Sequence, residues 1–132
     1  KAQGLKPLAE IVSSAVVGVE PRIMGIGPVK ASEMALERAG IGFDDLDVIE
    51  LNEAFSAQAI SCIRAWGLAD DDSRINPNGG GISLGHPLGM TGARILLAAA
   101  NHLKRTGGTY GLVTLCIGVG QGYAVVIKNS QI

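Results

Sequence analysis

Three short segments of this sequence combine reactive or polar side chains with neighbouring glycines. Residues 52–55 contain an amide and a carboxylate, residues 85–89 contain His86, and residues 116–122 contain the thiol of Cys116. Imidazole and thiol groups transfer protons, and amides stabilise negatively charged oxygen. Each segment lies where a strand is predicted to end or a helix to begin, which is where open α/β sheets bind ligands. The three segments therefore predict one site with acid/base chemistry.

Asn52 and His86 each allow a second, purely structural interpretation. Asn52 stands between a predicted strand and helix, so it could simply cap the helix. His86 precedes a predicted helix, whose N-terminus disfavours positive charge, so it suits a neutral base near pH 7. The alternative for His86 is a loop histidine bonded to nearby backbone. His102 falls near the end of a predicted helix, where we expect an ordinary surface residue.

The two cysteines of the chain, Cys62 and Cys116, differ in their surroundings. Cys116 leaves a predicted strand into a glycine-rich turn, which can present the thiol to a cleft and aim the N–H of Gly118 at an oxyanion. The alternative for Cys116 is a small buried hydrophobe, but that description suits Cys62 better because Cys62 shares an apolar helical face with Ala59 and Trp66. The spacing fits neither a zinc site nor a redox motif, so no metal is predicted.

Composition narrows the class of protein. The chain has 132 residues, 47% of them hydrophobic and 17% charged, with a formal net charge of -1. This predicts one domain with a real core and gives no attraction to nucleic acid. Apolar runs are too short to span a membrane, and residues 1–10 do not form a signal peptide. Residues 129–132 carry no peroxisomal signal, so we expect a cytoplasmic protein.

Hydrophobic periodicity predicts the elements that position the three segments. Strands are predicted at 11–19, 48–51, 110–116 and 123–127, the last two as an antiparallel pair. The helices follow from apolar faces: one over 29–39 ending at Gly40, a second along Phe55, Ala59, Cys62, Ile63 and Trp66, and a third capped by Thr91 with a stripe from Ile95 to Leu103. This order indicates an α/β fold with a mixed sheet covered by helices.

The stretch from 68 to 92 is predicted to be a long loop, and loops of that length are usually functional. Within it, residues 76–81 could cradle a phosphate. However, they match neither the lysine pattern of a P-loop nor a dinucleotide fingerprint. We therefore predict that they have a structural role and bring His86 into position.

In this order, the Asn-Glu-Ala-Phe segment at 52–55, the stretch 79–94 with Gly85-His86-Pro87, and residues 116–122 resemble the thiolase family. The resemblance extends from residue 7 to residue 127. It implies that 1–132 form a thiolase C-terminal domain, with a mixed five-stranded sheet covered by helices. The N-terminal domain, which carries the nucleophilic cysteine in this family, would be absent.

The resemblance also implies a role for each site residue in acyl transfer between coenzyme A thioesters. His86 would activate the nucleophile and donate to the thioester oxygen, and Asn52 would hold a water at the same oxyanion site. Cys116 would move a proton on and off the carbon beside the thioester carbonyl, and the N–H of Gly118 would help form a second oxyanion site. A thiol near its ordinary pKa of about 8.5 needs modest tuning for this work.

Further expectations concern substrates and partners. Phe55, and as a second candidate Met24, would border the pantetheine arm of coenzyme A, which is a substrate and not a cofactor. Cys62 lacks the glycine and serine setting of an acyl-accepting cysteine, so we expect the chain alone to be inactive. Its partners would be acyl-CoA, coenzyme A and a thiolase N-terminal domain, within a homodimer or homotetramer.

Two other classes of protein compete with this interpretation. A ketoacyl-synthase-like condensing enzyme shares the fold but usually has histidine or asparagine in place of Cys116. A non-catalytic domain that binds acyl-CoA or lipid would not need Asn52, His86 and Cys116 together. Within the thiolases, Val119 and residues 69–77 resemble the enzymes that act on 3-oxoadipyl-CoA.

Overall fold

The computed structural model describes residues 3–132, so the first two positions of the domain predicted over 1–132 lie outside the described residues. Strands and helices alternate along most of the chain. The strands are β1 (Ala9–Gly18), β2 (Leu46–Leu51), β3 (Tyr110–Ile117) and β4 (Gln121–Asn129). The α-helices are α1 (Gly27–Ala39), α2 (Ser56–Ala65), the single turn α3 (Gly81–Leu84) and α4 (Leu88–Thr106), and short 3₁₀ helices span Pro21–Ile26 and Phe43–Asp45.

The sheet has the strand order β1-β4-β3-β2. β4 pairs antiparallel with both β1 and β3, which confirms the predicted antiparallel pair at the end of the chain. β2 runs parallel to β3, and the crossover between them contains α2, α3 and α4. Because β2 and β3 are parallel, their C-terminal ends reach the same edge of the sheet. This edge receives Asn52 from β2 and Cys116 from β3.

The expected five-stranded sheet is wrong, since residues 3–132 form four strands. The place of a fifth strand is taken by Ile75, which makes a single parallel bridge to Ile49. The amide of Ile49 donates to Arg74 and the amide of Asn76 donates back to Ile49, each at 2.8 Å. Asn76 then turns at φ 46°, and Pro77 has no N–H to donate. These two residues stop the strand after one bridge.

Helices cover both faces of the sheet. Alternate residues of β4 point to opposite sides: Ala124 and Val126 belong to the core cluster with α1, while Val125 and Ile127 belong to the cluster with α4. A strand buried on both faces has no polar side to expose, which explains why β4 and β3 read as continuous apolar runs. The core therefore lies in two layers, one on each side of the sheet.

Three helix predictions need correction. The segment 68–92 is not loop throughout, because it contains α3 and the first turn of α4. α4 begins at Leu88 with Pro87 as its N-cap, so Thr91 lies inside the helix and does not cap it. Its first turn was missed because Leu88 and Met90 are exposed and break the apolar periodicity. Phe55 is the N-cap of α2 and is 70% exposed, so it lies outside the apolar face on which it was placed.

Candidate active site

Asn52 follows the last residue of β2 and is fully buried. Its backbone N–H donates to the carbonyl of Thr114 at 3.0 Å, which fastens it to β3 two residues before Cys116. Asn52 does not cap α2, because the N-cap position belongs to Phe55 and no side chain caps that helix. The structural alternative for Asn52 is therefore wrong, and its amide is free to face the sheet edge.

His86 lies between α3 and α4 and has two side-chain neighbours. Its Nε2 is 3.4 Å from Nδ2 of Asn52, and its Nδ1 is 2.7 Å from Oγ1 of Thr91. The Thr91 hydroxyl donates its proton to the carbonyl of Pro87 at 3.0 Å, so it must accept from Nδ1–H of His86. In the neutral ring this makes Nε2 the nitrogen without a proton, and Nε2 faces the amide of Asn52. These contacts are to side chains, so His86 is not the backbone-bonded loop histidine of the alternative interpretation.

Thr91 is thus a site residue whose role sequence reasoning missed. It is fully buried in the first turn of α4, one turn of helix away from Pro87. A buried threonine five residues after a histidine, on the core face of a helix start, is the signal that could have found it. The apolar periodicity of α4 is strong only from Ile95 onward, so it predicted the core face of the later turns and not the burial of Thr91.

The segment before His86 is held by Glu53 and Asn76. The side chain of Asn76 accepts from Leu51 N–H at 2.9 Å and donates to Leu51 O at 2.8 Å, so it pairs with β2 as a backbone unit would. Asn76 also donates to Oε1 of Glu53 at 3.0 Å, and Oε2 of Glu53 accepts from Ile82 N–H at 3.0 Å. The side chain of Asn76 is thus used within the domain, which fits the predicted structural role. Glu53, the carboxylate of residues 52–55, holds this segment, a role that the sequence did not reveal.

Cys116 and Cys62 are both free and buried. Cys116 is the penultimate residue of β3, and burial raises the pKa of its thiol above the ordinary value. Cys62 lies on α2, donates to the Gly25 carbonyl at 3.5 Å, and burial raises its pKa to about 11. Within residues 3–132 the thiol of Cys116 makes no hydrogen bond to Asn52 or His86.

Gly118 lies in the turn between β3 and β4. A Cβ added there would meet none of the described atoms within 4 Å, and its φ lies outside the left-handed region. Gly122 differs, because a Cβ there would lie 2.1 Å from the carbonyl of Gly27. The fold therefore requires glycine at 122 and not at 118. The space where a side chain would stand at position 118 is open among the described residues.

The two candidates for binding the pantetheine arm lie on neighbouring elements. Phe55 projects from the start of α2, and Met24 is half-buried in the 3₁₀ helix Pro21–Ile26. The bond from Cys62 to Gly25 connects these two elements. The exposed ring of Phe55 is thus available to a ligand, while Met24 offers part of its side chain.

His102 is half-buried near the end of α4 and not an ordinary surface residue. Its Nδ1 is 3.3 Å from Nδ2 of Asn78 and 3.2 Å from Arg105, and burial lowers its pKa. It helps to anchor the loop before α3, and within residues 3–132 it makes no hydrogen bond to His86 or Asn52. Across residues 3–132 no group of three or more His, Cys, Asp or Glu side chains could hold a metal ion. No helix in the described part of the chain is long and apolar enough to cross a membrane.

The fold is an α/β domain in which the amide of Asn52 and the thiol of Cys116 lie at the C-terminal ends of two parallel strands, with His86 beside the amide. Residues 5–129 match the family described as "Thiolase, C-terminal domain", and the chain belongs to this family. The family predicted from the three segments is thereby confirmed.

Relatives are similar to nearly the whole chain. The "3-oxoadipyl-CoA/3-oxo-5,6-dehydrosuberyl-CoA thiolase" of Escherichia coli (strain K12) is 60% identical over 128 residues, which cover 97% of this chain and 32% of that protein. A "Beta-ketoadipyl-CoA thiolase" of Acinetobacter baylyi is 56% identical over 125 residues, covering 95% and 31%. The "Beta-ketothiolase BktB" of Cupriavidus necator is 57% identical over 127 residues, covering 96% and 32%. The chain spans about a third of the length of these relatives.

Proposed function

We propose that this chain supplies the acid/base side of a thiolase active site. In such an enzyme a 3-ketoacyl-CoA is cleaved by coenzyme A, or two acyl-CoA molecules are joined. The observation that carries the proposal is the Asn52–His86 pair, with Nδ1 of His86 held by Thr91 and Nε2 directed at the amide. This arrangement combines a base with an oxyanion donor at a single point.

His86 and Asn52 act on the first half of the reaction. Nε2 of His86 takes the proton of a cysteine thiol that lies outside residues 1–132, and the thiolate attacks the keto carbonyl of the substrate. Once protonated, Nε2–H donates to the thioester oxygen of the substrate. Asn52, at 3.4 Å, holds a water against the same oxygen. Thr91 keeps the ring in the orientation that this proton transfer needs.

Gly118 and Cys116 act at C3 and C2 of the substrate. The N–H of Gly118 holds the oxyanion that forms at C3. When the bond between C2 and C3 breaks, its electron pair moves into an enolate whose oxygen is the thioester oxygen held by His86 and Asn52. The thiol of Cys116 gives its proton to C2, and the acyl group stays on the nucleophilic cysteine until coenzyme A displaces it. Because burial raises the pKa of Cys116, the proton stays on sulfur at rest. The resting state therefore suits the cleavage direction.

For the substrate, we propose a 3-ketoacyl-CoA of the 3-oxoadipyl type. Support comes from the names of two relatives, a 3-oxoadipyl-CoA thiolase at 60% identity and a beta-ketoadipyl-CoA thiolase at 56% identity. Coenzyme A enters as the second substrate, and Phe55 and Met24 border its pantetheine arm. The ketoacyl-synthase-like alternative is disfavoured by the family match and by the thiol at position 116.

A chimera tests the proposal directly. In it, this chain replaces the matching 128 residues of the Escherichia coli relative, which supplies the remaining two thirds of a thiolase. We expect the chimera to cleave 3-oxoadipyl-CoA with coenzyme A, and Cys116→Ala or His86→Ala to lower kcat by roughly 100-fold or more. Cys62→Ala is the matched control and leaves kcat within a fewfold. A folded, inactive chimera would contradict the proposal.

The 132-residue chain alone is expected not to turn over acyl-CoA. It has two cysteines, and Cys62 is buried with a pKa of about 11, which makes it a poor nucleophile. The test is thioester cleavage by the purified chain. Turnover that disappears in Cys116→Ala would mean that no nucleophile from elsewhere is required.

A further inference from the structure

Glu50 is a carboxyl that the fold buries directly behind the candidate active site. Val48, Glu50 and Asn52 alternate along β2 and the ladder that continues it, so their side chains point to one face of the sheet. Val48 belongs to the core cluster with Ile95, which shows that this face lies under α4. Glu50 is 1% exposed, and it therefore shares with Asn52 the buried layer between β2 and α4.

Arg94 enters the same layer from α4. It lies one helical turn after Thr91, which holds the His86 ring, and directly before Ile95 of the core cluster. Its three guanidinium nitrogens are buried and have no hydrogen-bond partner within residues 3–132. The strand and the helix that carry Asn52 and Thr91 thus each place a buried charged side chain one step behind the contact of His86 with Asn52.

Glu50 and Arg94 have opposite charges and interact without touching. Neither oxygen of Glu50 makes a hydrogen bond in the described part of the chain, and no ion pair there joins the two side chains. Burial raises the pKa of Glu50 to about 7, while the positive charge of Arg94 opposes the increase and the negative charge of Glu53 adds to it. At pH 8 both Glu50 and Arg94 are therefore charged. In a buried layer such charges attract each other more strongly than they would in water.

We propose that Glu50 and Arg94 form a buried charge pair that fixes the start of α4 over the end of β2. The pair thereby sets the distance between Nε2 of His86 and Nδ2 of Asn52, which is 3.4 Å. Both are positioning residues, since they act through His86 and Asn52. Burial of charge costs stability, so the pair contributes a defined position of the helix and not a gain in folding free energy. The inference rests on the proposed function and extends it to the residues behind the site.

The pKa of Glu50 tests the pairing without any activity. Carboxyl ¹³C NMR of the 132-residue chain is expected to show that Arg94→Met raises this pKa by about one unit or more, because the opposing positive charge is gone. Arg94→Lys keeps the charge and should leave the pKa near its parent value. Lys104→Met removes an exposed charge from the same helix and is the matched control, which should leave the pKa unchanged. An equal pKa of Glu50 in the parent and in Arg94→Met overturns the pair.

Glu50→Gln tests the positioning role in the chimera with the Escherichia coli relative. It removes a buried charge, so the urea midpoint at pH 8 should not fall, whereas kcat should fall by about fivefold or more with KM within about twofold. Arg94→Met should lower kcat to a similar extent, and the double variant no further, because the two residues act as one unit. A merely structural role would lower kcat only where the midpoint falls. A folded Glu50→Gln chimera with the kcat of the parent overturns the positioning role.

A folded but inactive parent chimera overturns the proposed function instead. The positioning role is then decided by a crystal structure, at pH 8, of the 132-residue chain with Glu50→Gln. A separation of Nε2 of His86 and Nδ2 of Asn52 clearly longer than 3.4 Å supports the pair, and an unchanged separation overturns it.

Discussion

At the scale of single residues, the Thr91 hydroxyl decides how His86 can act. Because the hydroxyl has one proton and donates it to Pro87, it accepts from Nδ1–H and leaves Nε2 as the base. Rotation of the imidazole ring would move Nε2 of His86 away from the amide of Asn52. Thr91 therefore positions the ring without touching the substrate.

Replacing Thr91 tests this role. Thr91→Val keeps the buried shape but removes the acceptor, so we expect kcat in the chimera to fall by roughly tenfold, equivalent to about 1.4 kcal/mol, with a smaller change in KM. Thr91→Ser retains the hydroxyl and should restore most of the activity. A merely structural role for Thr91 would change the urea midpoint and leave kcat and its pH profile as in the parent.

Glu50 is a buried carboxyl on β2 whose two oxygens have no hydrogen-bond partner in the described part of the chain. Burial raises its pKa from 4.5 to about 7; the charge of Arg94 opposes the increase and that of Glu53 adds to it. The folded protein therefore holds this proton more tightly than the unfolded chain does. The contribution of Glu50 to the free energy of unfolding is therefore fully present below pH 4.5 and is lost as the pH rises through about 7.

This linkage predicts a pH dependence of folding in the 132-residue chain. Between pH 4.5 and about 7 the free energy of unfolding should fall by about 3 kcal/mol from Glu50 alone. Glu50→Gln should remove most of that slope because an amide does not ionise. Urea unfolding of both proteins at several pH values is the measurement. Parallel pH profiles for the two proteins would show that Glu50 titrates normally.

At the scale of elements, one carboxylate connects three segments of chain. Glu53 follows β2, bonds Asn76 beside that strand, and accepts from Ile82 in the first turn of α3. Gly80 permits this contact, since a Cβ there would overlap the Glu53 carboxylate. The same segment leads directly to His86. Glu53 therefore sets the path by which His86 reaches Asn52.

Glu53→Ala should destabilise the domain by about 1–3 kcal/mol, because Asn76 and Ile82 lose a charged partner. It should also lower kcat in the chimera, since the segment before His86 is released. Glu33→Ala, at an exposed position of α1, is the control and should change neither quantity. Equal urea midpoints for the two variants would show that Glu53 does not hold the segment.

Helix α1 packs closely against β4 because Gly27 and Gly122 meet without side chains between them. Gly122→Ala would place Cβ 2.1 Å from Gly27, so we expect a loss of roughly 3 kcal/mol or more in unfolding free energy, or no folded protein. Gly118→Ala meets none of the described atoms and should leave stability within about 0.5 kcal/mol. Comparing the urea unfolding midpoints of the two variants shows whether the stability of the domain requires glycine at position 118.

At the scale of the whole molecule, large apolar side chains are exposed around His86. Ile82 and Leu84 lie on α3, and Leu88, at 81% exposed, begins α4. We propose that the nucleophile-bearing domain covers this surface in the complete enzyme, as the expected partner arrangement requires. Whether the complete enzyme is a homodimer or a homotetramer remains a prediction from the resemblance.

The isolated 132-residue chain should therefore self-associate. Sedimentation velocity is expected to show concentration-dependent oligomers at low salt, and a double substitution, Ile82→Ser with Leu88→Ser, should shift the distribution toward monomer without lowering the urea midpoint. Replacement of the exposed Leu5, far from this surface in sequence, is a suitable comparison. A monomer at every concentration would mean that the surface does not drive association.

Local sequence patterns were enough to predict the helices and strands with strong apolar periodicity. They also predicted the antiparallel end of the sheet and the family of the chain. These features depend on local pattern: the stripe of α4 and the buried run of β3 can be recognised without knowing their neighbours. The three segments with Asn52, His86 and Cys116 could be found for the same reason, since each is a short run of residue types suited to acid/base chemistry.

The contacts that hold these site residues in place could be seen only in the folded structure. Glu53 and Asn76 act on partners that are 23 to 29 positions away in sequence, and no local pattern reports such contacts. The number of strands also depends on such a contact. The sheet has four strands because the side chain of Asn76 bonds to β2 at a place where a fifth strand would have used its backbone. The raised pKa of Glu50 and of Cys116 follows from burial, which arises when helices from distant parts of the chain close over both faces of the sheet.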